Sequence, residues 1–153
     1  MSANPPADLL KYETLLSRDT LDSLAGALKV VWPTWYRMLV LSLLPGARNH
    51  GDWLPGGFLY GRPWLIYRDT QMYRDGTLHL YHERSEGLED WVPWPESFVK
   101  VGHYGGGGIV LDASSEQEVL YTIDKENATL TRFIDIAEDA GSVEKFADSL
   151  LKM

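Results

Sequence analysis

The stretch that decides the fold is Trp91-Val92-Pro93-Trp94-Pro95-Glu96-Ser97-Phe98-Val99-Lys100-Val101-Gly102-His103-Tyr104-Gly105-Gly106-Gly107-Gly108-Ile109-Val110-Leu111-Asp112. Two Pro–aromatic corners, Val92-Pro93 and Trp94-Pro95, lead into a short apolar strand, Phe98 to Val101. Four glycines turn the chain into a second strand, Ile109 to Leu111, closed by Asp112. Glycine adopts positive φ without a Cβ penalty, so such a run lets two strands reverse or another backbone come close.

Working back from this stretch, Glu83 to Asp90 reads as an acidic loop. Arg74-Asp75-Gly76 reads as a hairpin turn between Met72-Tyr73 and Thr77–His82, because Asp-Gly is a strong hairpin signal. Phe58–Tyr60 and Trp64–Arg68 are strand candidates, with Arg62-Pro63 as a bulge or edge between them. Arg48 to Gly57 is loop by its glycines and prolines. Further back, Trp32-Pro33 opens a helix through Leu44, with Pro at the first helical position and Pro45-Gly46 as the stop. That helix is apolar almost all round, so it is expected to be the one on which the sheet packs. Asp19 is the expected cap of a preceding helix on which Leu21, Leu24, Ala25, Leu28 and Val31 keep the 3.6-residue period. A first helix is expected from Asn4, with Leu9, Tyr12 and Leu16 on one face.

Forward of the stretch, Ser114 to Glu116 is a turn, Val119–Ile123 a strand, Asp124–Asn127 a turn and Leu130–Ile134 a last strand. Ser142 caps a closing helix with Val143, Phe146, Ala147, Leu150 and Leu151 on one face. Helices, then strands, then a helix make an α+β fold: N-terminal helices packed on a mostly antiparallel twisted sheet, with a C-terminal closing helix. The length of 153 residues fits a single domain spanning 1–153.

Charge and composition exclude several classes. The net charge is −8, but residues 1–68 carry five acids against seven bases while residues 69–153 carry seventeen acids against seven. An acidic second half repels nucleic-acid phosphates and anionic lipid, so neither is an expected partner. Cysteine is absent, which excludes disulfides and thiolate metal sites. No basic-then-apolar leader opens the chain, and the longest apolar run, Met38 to Leu44, is too short to span a bilayer. The expected location is the cytoplasm.

No motif points to chemistry. His79 and His82 are three apart, which on a strand places them on opposite faces, and His50 and His103 lie in expected loops without a paired ligand. No metal site is therefore expected. The glycine run lacks the Lys-Ser/Thr of a phosphate loop and leads into a strand, so no helix dipole faces an anion. The serines have no nucleophile-elbow context, and acid pairs such as Glu83 with Asp90 are as well explained by a solvated acidic face. The chain is expected to be no enzyme, to have no catalytic residues and to need no cofactor. Six Trp and eight Tyr are a heavy aromatic load, with Trp53, Trp91, Trp94 and Tyr104 in or beside loops. They either plug the sheet edges, Trp94 stacking on Pro93 and Pro95, or form a protein-binding surface ringed by charge.

The segment Trp94-Pro95-Glu96-Ser97-Phe98-Val99-Lys100-Val101-Gly102, the glycine turn, Ile109-Val110-Leu111-Asp112, Val119-Leu120-Tyr121 and the Phe146–Leu151 helix resemble the SMI1/KNR4 family of the SUKH superfamily. Trp32-Pro33-Thr34-Trp35-Tyr36 looks like that family's helix entering the core. The acid usual inside the family's glycine turn is replaced here by Gly107-Gly108, and Asp112 is the nearest acid retained. The resemblance implies a non-enzymatic α+β domain, in bacteria commonly an immunity protein that binds and neutralises a toxin domain of a polymorphic or contact-dependent system. The expected partner is thus a cognate toxin, basic if it is a nuclease. Glu83, Glu86, Glu89, Asp90, Trp91 and Tyr104 are the expected partner-binding residues. The alternative is a protein- or ligand-binding adaptor of the same fold without a toxin partner. Monomer and homodimer are equally compatible with the exposed aromatics.

Overall fold

The computed structural model describes residues 14–49, 52–75, 79–83, 89–105, 107–124 and 130–152, without the side chains of 48–49, 79–83, 89–93 and 124. Of the first expected helix, residues 4–13 lie outside these; Thr14 to Ser17 are not helical. Helix α1 (Arg18–Leu28) is capped by Ser17, not Asp19. The Ser17 hydroxyl accepts from the Thr20 amide at 3.2 Å and the Thr20 hydroxyl accepts from the Ser17 amide at 2.7 Å, a reciprocal box. Asp19 instead sits in the first turn, where a negative charge suits the helix dipole. Leu21, Leu24 and Leu28 are buried at the expected period.

Helix α2 (Thr34–Leu43) follows Pro33 and passes into a 3-10 turn, Leu44–Asn49, where a stop at Pro45-Gly46 was expected. Proline carries no N–H, and the tighter turn tolerates it near its start. Trp35, Tyr36, Leu39, Val40 and Leu43 are buried, but Met38 is 42% exposed, so one side of the helix meets solvent. It packs on the terminal helix; the helix laid against the sheet is α3 (Pro63–Asp75).

That third helix is the main correction to the sequence reading. Trp64–Arg68 and Met72-Tyr73 are helical, and Arg74 and Asp75 end the helix where a hairpin turn was expected. Its aromatic and β-branched residues imitate strand propensity. Leu65, Ile66, Asp69 and Thr70 are nevertheless buried together, a helical stripe. Pro63, read as a strand edge, begins the helix, where its missing N–H costs nothing.

Strands β1 (His79–Glu83) and β2 (Glu89–Pro93) form a separate antiparallel ribbon. Strands β3 (Phe98–Tyr104), β4 (Gly107–Asp112), β5 (Val119–Asp124) and β6 (Leu130–Asp135) form an antiparallel sheet in sequential order. Phe58–Tyr60 joins this sheet only through a bridge from Leu59 to Gly102, with Tyr60 N–H on Val101 O and His103 N–H on Phe58 O, both 2.8 Å. A short helix not expected from the sequence, α4 (Ile136–Ala140), precedes α5 (Val143–Leu151), which Ser142 caps as expected through the Lys145 amide at 3.1 Å.

The sheet has two unlike faces. Val99, Val101, Ile109, Leu111 and Leu120 join the main core with α1, α2 and α5. Phe58 stacks there on Phe133 and Phe146, at 5.6 and 6.3 Å between ring centres. Burial of a ring such as Phe146 stabilises by about 1.5–3 kcal/mol. Leu151, expected on that face, is 42% exposed. Val110 and Ile123 form a smaller cluster with Trp94, Tyr73, Phe98 and Leu130. These residues alternate with the core set along β4, as a strand requires.

Candidate functional site

Glu83, Glu89, Asp90 and Trp91 fall on the ribbon, whose register pairs Glu83 with Glu89, His82 with Asp90 and Tyr81 with Trp91. The structure therefore brings these four positions to one end of one element. Trp91, Val92 and Pro93 belong to a strand and not to a corner. Glu86 lies outside the described residues. Tyr104 stands on the other sheet, at the end of β3; it is 60% exposed and its ring meets Phe133 at 5.5 Å. His103, expected in a loop, lies in β3, and His50 lies outside the described residues. Among the described residues no three His, Asp or Glu gather in a metal-binding group. No described helix is long and apolar enough to cross a membrane.

Trp94 is buried. Its indole N–H donates to the Phe98 carbonyl at 3.0 Å, and its ring meets Tyr73 at 4.8 Å and Phe98 edge-on at 5.9 Å. The corner thus ties the ribbon's end to β3 and to α3. Directly beyond Tyr73 lies a cleft of about 630 Å³ lined by Tyr60, Arg68, Asp69, Met72, Tyr73, Lys100 and His103. The sequence reading did not foresee it.

The cleft is built around a buried ion pair. Lys100 lies between Val99 and Val101, but its side chain points to the smaller-cluster face, paired with Val110 in register. Its ammonium donates to Asp69 Oδ2 at 2.9 Å and sits 5.6 and 5.5 Å from the ring centres of Tyr60 and Tyr73. The Tyr60 hydroxyl donates to the same oxygen at 2.5 Å, and Arg68 Nε donates to Oδ1 at 2.9 Å. The adjacent Thr70 hydroxyl accepts from the Lys100 amide at 3.0 Å, fixing α3 against β3. The lysine stem crosses Gly108, where a Cβ would come within 2.8 Å of Lys100 Cε. Gly108, expected in the turn but paired with His103 in β4, therefore makes room for the charge.

Burial would raise the Asp69 carboxyl, but the hydrogen bonds from Tyr60, Lys100 and Arg68 outweigh it and hold the group below its ordinary value. Burial, reinforced by Asp69, pushes both Tyr60 and Tyr73 up, so both rings keep their hydroxyl protons at neutral pH. Asp69 is thus an anion whose acceptors are engaged by three donors. The arrangement holds charges in place, and a group so bound is a poor proton acceptor. The only sequence signal for this site was a pair of polar residues, Asp69 and Thr70, on what becomes the buried stripe of a helix; read as strand and turn, the segment hid it.

Compared with family models, curated proteins and solved structures, the chain finds no match.

Proposed function

We propose that this chain is a non-enzymatic binding protein that recognises and neutralises a cognate basic toxin domain, in the manner of an immunity protein. The observation that carries the reading is the β1–β2 ribbon, which stands apart from the four-stranded sheet and sets two glutamates at directly opposed positions. Like charges opposed across a ribbon destabilise it, and a partner's cations relieve that repulsion on binding. The excess of acids in residues 69–153 gives the same half of the chain a field that draws a basic protein in. The resemblance to the SMI1/KNR4 family supports the same reading.

The test is capture of partners by the tagged chain in its native cells at low and moderate salt, followed by expression of the retained polypeptide with and without this chain. The expected result is one basic polypeptide that survives moderate salt, arrests growth alone and permits growth on co-expression. Failure of co-expression to restore growth overturns the reading. The adaptor reading draws on the cleft beside α3, and several partners lost together at moderate salt would favour it.

A further inference from the structure

We propose that a second cleft, between the start of α2 and the start of α5, binds a protonated amine that carries a carbonyl on the adjacent carbon, as at the N-terminus of a polypeptide or in an amino-acid amide. It shares no described residue with the acidic ribbon or with the cleft beside α3, and it does not rest on the toxin reading.

Helix α2 packs on α5, and residues of the connection from β4 to β5 complete a cleft of about 330 Å³ at their first turns. Its described lining includes Trp35, Met38, Glu116, Glu118, Val143 and Glu144. The volume is at the low end of small-molecule sites, which suits a chain end and not a folded surface. Two of the lining residues hold buried polar atoms that pair with nothing among the described residues, nor with each other. They are the indole N–H of Trp35, a residue only 4% exposed, and Oε2 of Glu118. Buried polar groups in folded proteins are almost always paired, with protein, solvent or a ligand. One of these two is a donor and the other an acceptor, so the group that satisfies both must itself accept and donate.

That requirement discriminates among ligands. An arginine or lysine side chain only donates and would leave the Trp35 N–H unmet. A carboxylate only accepts and would face the carboxylates of Glu116, Glu118 and Glu144. A neutral amide does both but brings no charge to those carboxylates. An amine beside a carbonyl meets every demand: the ammonium donates to Glu118 while the carbonyl oxygen accepts from Trp35. Helix α2 supports the carbonyl end. It begins after Pro33 with no side-chain cap, so its first amides are further donors where the helix dipole is positive. The other end is held in place before a ligand arrives. The Glu118 carbonyl accepts from the Ile136 amide at 2.7 Å, and the Ser115 hydroxyl accepts from the Gln117 amide at 3.1 Å. The Trp35 ring and Met38, 42% exposed, give the ligand's first side chain an apolar wall.

The test uses the full chain and NMR of its backbone amides and indole N–H groups. Trp35→Phe removes one of the six indole signals and so assigns it; should that variant fail to fold, the amides of Thr34, Glu118 and Val143 report the site. A tetrapeptide amide beginning with leucine, its N-acetylated form, leucinamide and butylguanidine are titrated separately. The expected result for the two free amines is a saturable downfield movement of the Trp35 indole proton with shifts at Glu118 and Val143. Their affinity should exceed that of the acetylated peptide at least about tenfold. The tighter of the free peptide and leucinamide identifies the natural source. Glu118→Gln is expected to weaken both about five- to tenfold with an unchanged spectrum elsewhere. The acetylated peptide binding as tightly as the free one, butylguanidine moving the indole proton equally, or Glu118→Gln without effect would each overturn the proposal. So would shifts away from the cleft, or no saturation at millimolar ligand, which would leave the two atoms to solvent.

Discussion

Lys100 and Asp69 are thirty-one residues apart and meet at 2.9 Å with their side chains only 5% and 9% exposed. Asp69→Asn takes the Asp69 carboxylate away from a buried ammonium and is expected to destabilise by about 3–5 kcal/mol, read from urea denaturation. Asp69→Leu combined with Lys100→Met removes both charges and is expected to cost less than Asp69→Asn alone; an equal or larger loss would show that the pair is not the source of the effect. Acid gives an independent readout. The folded Asp69 carboxyl lies below its ordinary 3.8, so its share of stability is complete above that value and is lost as pH falls through the lower folded value. The gap between the parent chain and Asp69→Asn should therefore narrow on acidification, and a constant gap would contradict the assignment.

At the scale of elements, glycine is the residue whose placement is most easily tested. Gly102 sits at the bulge of β3, where a Cβ would fall 1.9 Å from the Phe58 carbonyl oxygen. Backbone cannot yield as a side-chain tip can, so Gly102→Ala is expected to destabilise by at least about 2–3 kcal/mol and to loosen the Phe58–Tyr60 bridge that walls the cleft. Gly26 is the opposite case, a helical position with nothing within 4 Å of an added Cβ. Gly26→Ala is expected to stabilise by roughly 0.5–1 kcal/mol. Thermal melts of both variants check the contrast. Much of this level was legible in the sequence: the places of β3 to β6 and the Ser142 cap follow from alternation, turn residues and a hydroxyl ahead of an amphipathic run, although β3 runs on to Tyr104 and β4 begins at Gly107, inside the expected glycine turn. The segment 63–75 was not, because its Trp-Leu-Ile-Tyr run carries strand propensity on a helix-period burial pattern, and packing against β3 decides between them.

Across the whole molecule, the charge asymmetry between residues 1–68 and 69–153 sets how a partner would approach. Reversing Glu86, Glu89 and Asp90 to lysine should slow association with the proposed basic partner about tenfold at low salt and flatten its dependence on ionic strength; unchanged stopped-flow rates would remove the ribbon from the proposed interface. The acidic ribbon could be nominated from composition and position because charge is additive along a chain. The cleft could not. Taken by itself, the sequence determined the α+β class and the order of most elements, since caps, turns and side-chain periods act over a few residues; of the glycine run, Gly107 and Gly108 are strand and not turn. Tertiary structure alone decided that Lys100 turns inward, that Asp69 meets it, and that Gly108 leaves space for it. Such partners share no local period; only the packing of α3 on β3 brings them within bonding distance and out of water.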